Sequence, residues 1–301
     1  MNYNLITILG PTASGKTRLA ALLANRFDGE IISADSRQVY KRMNIGTGKD
    51  LDDYIVDGKK IPYHLIDILE PTEEFNLFLF TQHFYKAFEE INSRNKIPFL
   101  VGGTGLYLHS ILKGYKLNKV EFSKEKYDEL NKLSIEELQE RLKKVNPKLH
   151  NTTDLLIKDR IIKAIIISEE QANSTIKNPE INSLTIGIYL DREKIKERIT
   201  NRLKHRLENG MIEEVEKLVA DGITFDKLEF FGLEYKFIGM YLKCELNYND
   251  MFQKLNSAIH QFAKRQMTWF RKMEREGIKI HWIEGADFES AEKIIIENYF
   301  S

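Results

Sequence analysis

Eight residues near the start of the chain limit what it can become. Gly10-Pro11-Thr12-Ala13-Ser14-Gly15-Lys16-Thr17 fits the pattern G-x-x-x-x-G-K-[ST]. The run before it, Asn4 to Leu9, is rich in β-branched residues, and a helical pattern follows. Strand, glycine loop and helix in that order is the setting in which the motif holds phosphate, which sets aside a chance turn. Gly15 lets the backbone aim N–H groups at phosphate oxygens. Lys16 brings a mobile positive charge, the Thr17 hydroxyl is the candidate ligand for Mg²⁺, and the helix start adds its positive dipole end. Residues 10–17 are thus the candidate diphosphate site. Most such loops hold ATP or GTP, and a nucleotidase also needs an acidic residue after an apolar strand. The best later strand, Ile97–Val101, runs instead into Gly102-Gly103-Thr104-Gly105. The loop therefore speaks for a diphosphate or polyphosphate more strongly than for ATP.

Further strand-like runs fall at Glu30–Ala34, His64–Ile68 (weaker), Ile97–Val101 and Leu184–Leu190, with helical patterns such as Phe75–Asn95 between. This alternation predicts an α/β fold, a P-loop NTPase-like parallel sheet with flanking helices. Residues 113–183 break it. They are polar and helical in pattern, with 14 Lys and Arg against 12 Asp and Glu. Ser134-Ile135-Glu136-Glu137 reads as a capping box opening a helix to about Val145, and a second helix is expected over about 155–170. The division expected is 1–112 for the first part of the core, 113–183 for an all-helical insertion domain, and 184–301 for the rest, mostly helical. In that last part helices are expected over about 192–209, 212–220 and 248–274. The third should carry Met251, Leu255, Ile259, Phe262, Trp269 and Met273 on one apolar stripe.

Composition excludes several classes. With 42% hydrophobic residues and 11% aromatic, the chain of 301 residues can bury a core and is not a disordered protein. A formal net charge of zero argues against holding nucleic acid by global charge alone, though local basic patches remain open. Cys244 is the single cysteine, so no internal disulfide or cysteine metal site is available. No apolar run approaches a membrane span, no signal peptide is visible, and the expectation is a cytoplasmic protein with no membrane attachment and no obligate protein partner evident. The seven histidines show no ligand spacing.

Asp35-Ser36-Arg37-Gln38-Val39-Tyr40 follows the second strand, where an open α/β sheet places its ligands. From spacing alone Asp35 is as good a helix cap as a functional carboxylate. Gly102-Gly103-Thr104-Gly105 reads as a tight turn with the Thr104 hydroxyl facing the same crevice, and a turn without a ligand stays open. Arg198 and Arg202 share one helix face, whereas Arg192, Lys194 and Lys196 read as solvated.

Taken together, residues 10–17, Asp35–Tyr40, Ile45-Gly46-Thr47-Gly48-Lys49, Val101–Tyr107, Phe262–Arg271 and His281-Trp282 resemble the tRNA dimethylallyltransferases, in that family's order and over nearly the whole chain. The resemblance implies a fold that binds dimethylallyl diphosphate rather than ATP. The five-carbon unit passes to N6 of the adenosine 3′ of the anticodon. By the same resemblance Asp35 is the general base, Thr104 contacts the acceptor and Arg202 helps hold the diphosphate. The helical insertion grips the anticodon stem-loop. Asp35, Ser36, Arg37, Gln38 and Thr104, with Lys126, Asp159, Arg160, Ile161, Ile162 and Lys163, are the tRNA-binding set it implies. The chain departs from the family pattern at Gly48 (usually Ala), Arg206 (usually Met) and Glu234 (usually Gly), and at Lys163-Ala164-Ile165.

Adenine N6 is a poor nucleophile that becomes acidic as it attacks carbon, and a carboxylate in reach can take the proton, a step worth about 10²–10⁴-fold. Lys16, the loop N–H groups and Mg²⁺ at Thr17 suit the charge that grows on a departing diphosphate. The Lys264/Arg265/Arg271/Lys272 side of the last long helix is a second candidate for tRNA phosphates. Three rival readings are a P-loop small-molecule kinase, an isopentenyltransferase for free adenine nucleotides, and a non-catalytic RNA-binding protein with a relic loop. A kinase leaves the insertion unexplained, free nucleotides give it nothing to grip, and a relic loop has no reason to keep Asp35, Lys16 and Thr17.

Overall fold

A computed structural model describes residues 3–115, 117, 124–145, 158–170 and 178–300. The chain divides into two units, Met1–Gly114 with Glu180–Ser301, and Tyr115–Pro179, against the 113–183 read from the sequence.

The first unit is built on a sheet of β1 (Leu5–Leu9), β2 (Gly29–Ala34), β5 (Tyr63–His64), β6 (Ile97–Gly102), β7 (Ser183–Tyr189) and β8 (Ile280–Glu284), with β3 (Ile55–Val56) and β4 (Lys59–Lys60) forming a separate small ribbon. The strand order is β5-β2-β6-β1-β7-β8 and every pairing is parallel. Alternate residues of each strand enter different cores. Leu5, Leu9, Ile32 and Leu100 join one cluster, and Ile6, Ile8, Ile31 and Phe99 join the other. Burial on both faces is why these strands read as unbroken apolar runs rather than alternating ones. The helices covering them are α1 (Lys16–Arg26), α2 (Leu77–Ser93), α3 (Gly105–Leu112), α7 (Arg192–Glu208), α8 (Met211–Ala220), α9 (Phe225–Phe230), α10 (Leu233–Leu242), α11 (Tyr248–Arg275) and α12 (Phe288–Tyr299).

The order of the strands sets the site. β6 lies between β2 and β1, with Ala34 opposite Gly102 and Leu9 also opposite Gly102. The ends of all three strands therefore deliver Asp35, Thr104 and the phosphate loop to one rim.

The expected strand His64–Ile68 shrinks to Tyr63–His64. Leu65 and Asp67 take positive φ angles of 63° and 55°, which end the extended backbone. Leu65 and Ile66 are still buried, and Asp67 turns its carboxylate to the buried amine of Lys49. The stripe on α11 also differs. Its buried face runs through Met251, Leu255, Ile259, Ala263, Gln266, Phe270 and Met273. Phe262 and Trp269 stand off that face and line a cavity.

The second unit, as described, has α4 (Lys124–Leu130), α5 (Ile135–Val145) and α6 (Lys158–Glu170) around its own core of Leu130, Leu138, Leu142, Ile161, Ile162, Ile165 and Ile166. The capping box forms as expected: Ser134 Oγ accepts from Glu137 N at 3.2 Å, and Glu137 Oε2 accepts from Ser134 N at 2.7 Å. The stretch 146–157, which includes the expected start of the second helix, lies outside the described residues.

Candidate active site

A cavity of about 530 Å³ opens where β1, β2 and β6 end, and its lining includes Thr12, Lys16, Asp35, Thr104, Arg202 and Trp269. The loop wraps from Gly10 with Ala13 and Gly15 at positive φ, 61° and 87°, and Gly15 opens α1. Thr12, Ala13, Gly15, Lys16 and Thr17 all face the cavity. Gly10, Pro11 and Ser14 are buried beneath them, and the Ser14 hydroxyl finds no partner among the described residues.

Lys16 sits in the cavity wall with Nζ 3.4 Å from the Pro11 carbonyl. Burial, then the charge of Arg202, holds its pKa down to about 8, while Asp35 and Asp50 pull it back up. Arg202 Nη2 donates to the Thr12 hydroxyl, so α7 touches the loop directly. Its guanidinium is held down to about 10 by burial and then by Arg206. Two cations with depressed pKa values, one at the end of the glycine loop and one on α7 bonded to it, suit an anionic ligand in this cavity.

Asp35 Oδ1 accepts from Arg37 N at 2.9 Å. The residues that follow form a turn rather than a helix, which removes the helix-cap reading. Its other oxygen has no donor among the described residues, and the side chain lines the cavity. Thr104 Oγ accepts from Ser36 N at 3.3 Å, joining the ends of β6 and β2. With one lone pair engaged there, the hydroxyl proton is available to the cavity. Arg37 lies over the Phe230 ring at 4.7 Å. Gln38 is buried, accepting from Ser33 Oγ and donating to the Gly48 carbonyl, both at 3.0 Å. Its amide thus ties β2 to the Gly48 turn, and the residue also lines the cavity.

Gln266, whose role sequence reasoning missed, connects the parts. It accepts from Thr12 N at 2.8 Å and donates to the Gly103 carbonyl at 2.9 Å, so one buried side chain of α11 clamps the phosphate loop to the turn that carries Thr104. A Cβ at Gly103 would collide with the Gln266 amide, hence the glycine. The signal was a polar residue in the middle of an apolar helix stripe. Glu214 was missed too. It accepts from the backbone N–H groups of Asn44, Ile45 and Gly46 at 2.7, 2.7 and 2.9 Å and from the Tyr235 hydroxyl at 2.7 Å. Lys49 is fully buried and donates to the Tyr40 carbonyl at 2.6 Å and Asn44 Oδ1 at 2.9 Å. These two residues fix the loop that carries Gly48 and Asp50 along the cavity.

For a metal, the Thr17 hydroxyl shares the cavity with Asp35, Asp50 and Asp53. An oxygen-only set with few carboxylates fits Mg²⁺, which keeps waters and takes substrate phosphates as ligands. No group of three or more His, Cys, Asp or Glu suited to a metal occurs among the described residues.

In the helical unit the expected RNA-facing set divides. Ile161 and Ile162 are completely buried in that unit's core, so their side chains cannot reach an RNA. Arg160 and Lys163 are exposed, with Lys163 paired to Asp159 at 2.8 Å. Asp159 also accepts from the Tyr127 hydroxyl at 2.8 Å, and Lys163 above all holds its carboxyl below the usual range. Lys126 pairs with Glu169 at 3.0 Å. On α11, Lys264, Arg265 and Arg271 are exposed, and Lys272 lies 4.8 Å over the Trp269 ring. Among the described residues no helix is long and apolar enough to cross a membrane.

A family model described as IPP transferase matches residues 38–273, and one described as isopentenyl transferase matches residues 3–64. The tRNA dimethylallyltransferase 1 of Geotalea uraniireducens is 56% identical over 286 residues, covering 95% of this chain and 94% of its own. The solved tRNA isopentenylpyrophosphate transferase of Bacillus halodurans is 31% identical, with a TM-score of 0.69 over 99% of this chain and 95% of that one. A eukaryotic dimethylallyltransferase acting on tRNA shares the fold at 24% identity, with a TM-score of 0.78 over 99% of this chain and 79% of that one. The likeness runs without a break from the phosphate loop to the clamp on α11, and the chain belongs to the IPP transferase family, that of the tRNA dimethylallyltransferases.

Proposed function

We propose that the chain transfers the dimethylallyl group from dimethylallyl diphosphate to N6 of the adenosine 3′ of the anticodon in tRNA, releasing diphosphate. The observation that carries this reading is the half-free carboxylate of Asp35 opening into the same cavity as Lys16 and Arg202. A P-loop kinase would also need an acidic residue after an apolar strand for its Mg²⁺, and β6 runs instead into Gly103-Thr104-Gly105.

In the reaction the allylic C–O bond breaks and the N6–C bond forms. The loop N–H groups, Lys16 and Arg202 meet the charge that builds on the diphosphate. Asp35 takes the proton that N6 sheds, and Thr104 orients the acceptor through its free hydroxyl proton. Mg²⁺ held at Thr17 would neutralise part of the diphosphate charge. The acceptor base has to leave its stack, at a cost of a few kcal/mol that is least in a loop. Phe262 and Trp269 give the cavity that Asp35 lines an apolar surface for the base or the prenyl chain. Arg160, Lys163 and Lys126 of the helical unit are the proposed grip on the stem-loop backbone. An RNA acceptor and a lone reduced Cys244 suit a cytoplasmic setting.

Nucleoside mass spectrometry of tRNA incubated with the protein, Mg²⁺ and dimethylallyl diphosphate tests the reading. Prenylated adenosine is expected, with no requirement for ATP. ATP-dependent phosphorylation of a small acceptor without prenyl transfer would overturn it.

A further inference from the structure

Arg206 stands four residues after Arg202 on α7, so the two share a face. It is only 7% exposed, yet it lines the cavity. Its Nη2 donates to Asp50 Oδ2 at 3.1 Å, and Asp50 is its one acceptor among the described residues. Nε and Nη1 are left without a partner there. Neither nitrogen is fully enclosed, so both open toward the cavity that the side chain lines, where an anion can take them.

The fold makes room for this cation on purpose-built backbone. Gly48 takes a φ of 64°, and a Cβ there would overlap Nη2 and stand 2.9 Å from Nη1. The Gly48 carbonyl is held by Gln38, and the following Lys49 is pinned by its buried amine, so the turn cannot simply retreat. Glu234 faces the same cavity, and Arg206 and Arg202 are the positive charges acting on its carboxyl, which burial raises. Three cations, Lys16, Arg202 and Arg206, thus converge on one cavity, and the charge of Arg206 is felt at both of the others.

We propose that Arg206 is a third cationic contact to the diphosphate of the donor, with Gly48 as the residue that gives it space. The assignment rests on the donor reading above. Nε and Nη1 meet diphosphate oxygens while Nη2 stays on Asp50, which keeps the side chain oriented. Because the leaving diphosphate gains charge as the C–O bond breaks, Arg206 acts on turnover as well as on binding. The competing role is a tether, in which Arg206 only ties α7 to the turn at Asp50.

Inorganic pyrophosphate is the probe, titrated calorimetrically into the full chain with Mg²⁺, alongside thermal midpoints and KM values for both substrates. Arg206→Met should weaken pyrophosphate binding about 10- to 100-fold, the range of one or two charge-assisted hydrogen bonds. The KM for tRNA should stay within about twofold, since a uniform loss of folding would move both substrates. Gly48→Ala should weaken pyrophosphate binding in the Arg206 protein and add little to Arg206→Met, because the two act on the same interaction. Should Arg206→Met fail to fold, Arg206→Lys keeps charge and bulk, and it should lose affinity for pyrophosphate while holding its thermal midpoint. A folded Arg206→Met or Arg206→Lys protein that binds pyrophosphate like wild type overturns the assignment and leaves the tether. Wild type that binds no pyrophosphate at all overturns the donor reading instead, and this assignment falls with it.

Discussion

At the scale of single residues, Asp35 is tied at one oxygen and open at the other. Replacing it by Ala removes one hydrogen bond to Arg37 N, about 1 kcal/mol of stability. Turnover should fall by about 10²-fold or more with pyrophosphate affinity nearly unchanged. A variant with near-normal turnover and a lowered thermal midpoint would mean that Asp35 only holds the turn. Lys16 makes a pH prediction. Burial and Arg202 favour its neutral form, so the free protein loses this positive charge as pH rises through about 8, well below an ordinary lysine. Pyrophosphate affinity should therefore fall across that range in wild type more than in Lys16→Ala. Equal pH profiles would remove Lys16 from the site. Asp35, Lys16 and Thr104 were legible because each sits at the end of a readable strand, inside a local motif. Gln266, Glu214 and Arg206 were not, because their roles exist only through partners far along the chain. Ile161 and Ile162 show that a stretch marked by resemblance also holds core residues, whose side chains serve the packing of their own unit.

Among the elements, α11 does more than cover the sheet. Gln266 occupies a place on its buried stripe that an apolar residue would fill at lower cost, and there it bonds Thr12 N and the Gly103 carbonyl. Gln266→Leu should leave both backbone groups unmet, at about 1–3 kcal/mol each. Denaturant unfolding should show that loss, and donor KM should rise as the loop loosens. A fully stable variant with wild-type donor KM would show that water replaces the clamp. The long helices α7 and α11 were readable from periodicity. Strand β8 was not, since His281, Trp282 and Glu284 on a sheet edge show no apolar run. The short helices α9 and α10 escaped as well. Six residues give α9 little room for a period to declare itself, and tertiary packing around Tyr235 and Ile238 holds α10.

For the whole molecule, the parallel sheet was expected and its strand order was not. Nothing local says that β6 inserts between β2 and β1, yet that order gathers the site. The helical unit closes its own core with Ile161, Ile162, Ile165 and Ile166, leaving Arg160 and Lys163 outward on α6. If these hold RNA phosphates, replacing both by Ala should raise the KM for tRNA. It should also flatten the slope of log affinity against log salt by about 0.7–0.9 for each phosphate no longer neutralised. Parallel slopes with equal affinity would move the grip to the Lys264/Arg265 face. The pairing of β1 with β7 has a further consequence, for synthesis. Thr7 meets Ser183, 176 residues later. While the ribosome is still making the intervening chain, β1 has an open edge of apolar residues and the loop after it has no clamp. Gln266 is translated later still, so the phosphate loop is the first part of the site to be made and among the last to be secured. Nascent chains halted before residue 183 should engage chaperones and resist refolding, and those carried past α11 should not.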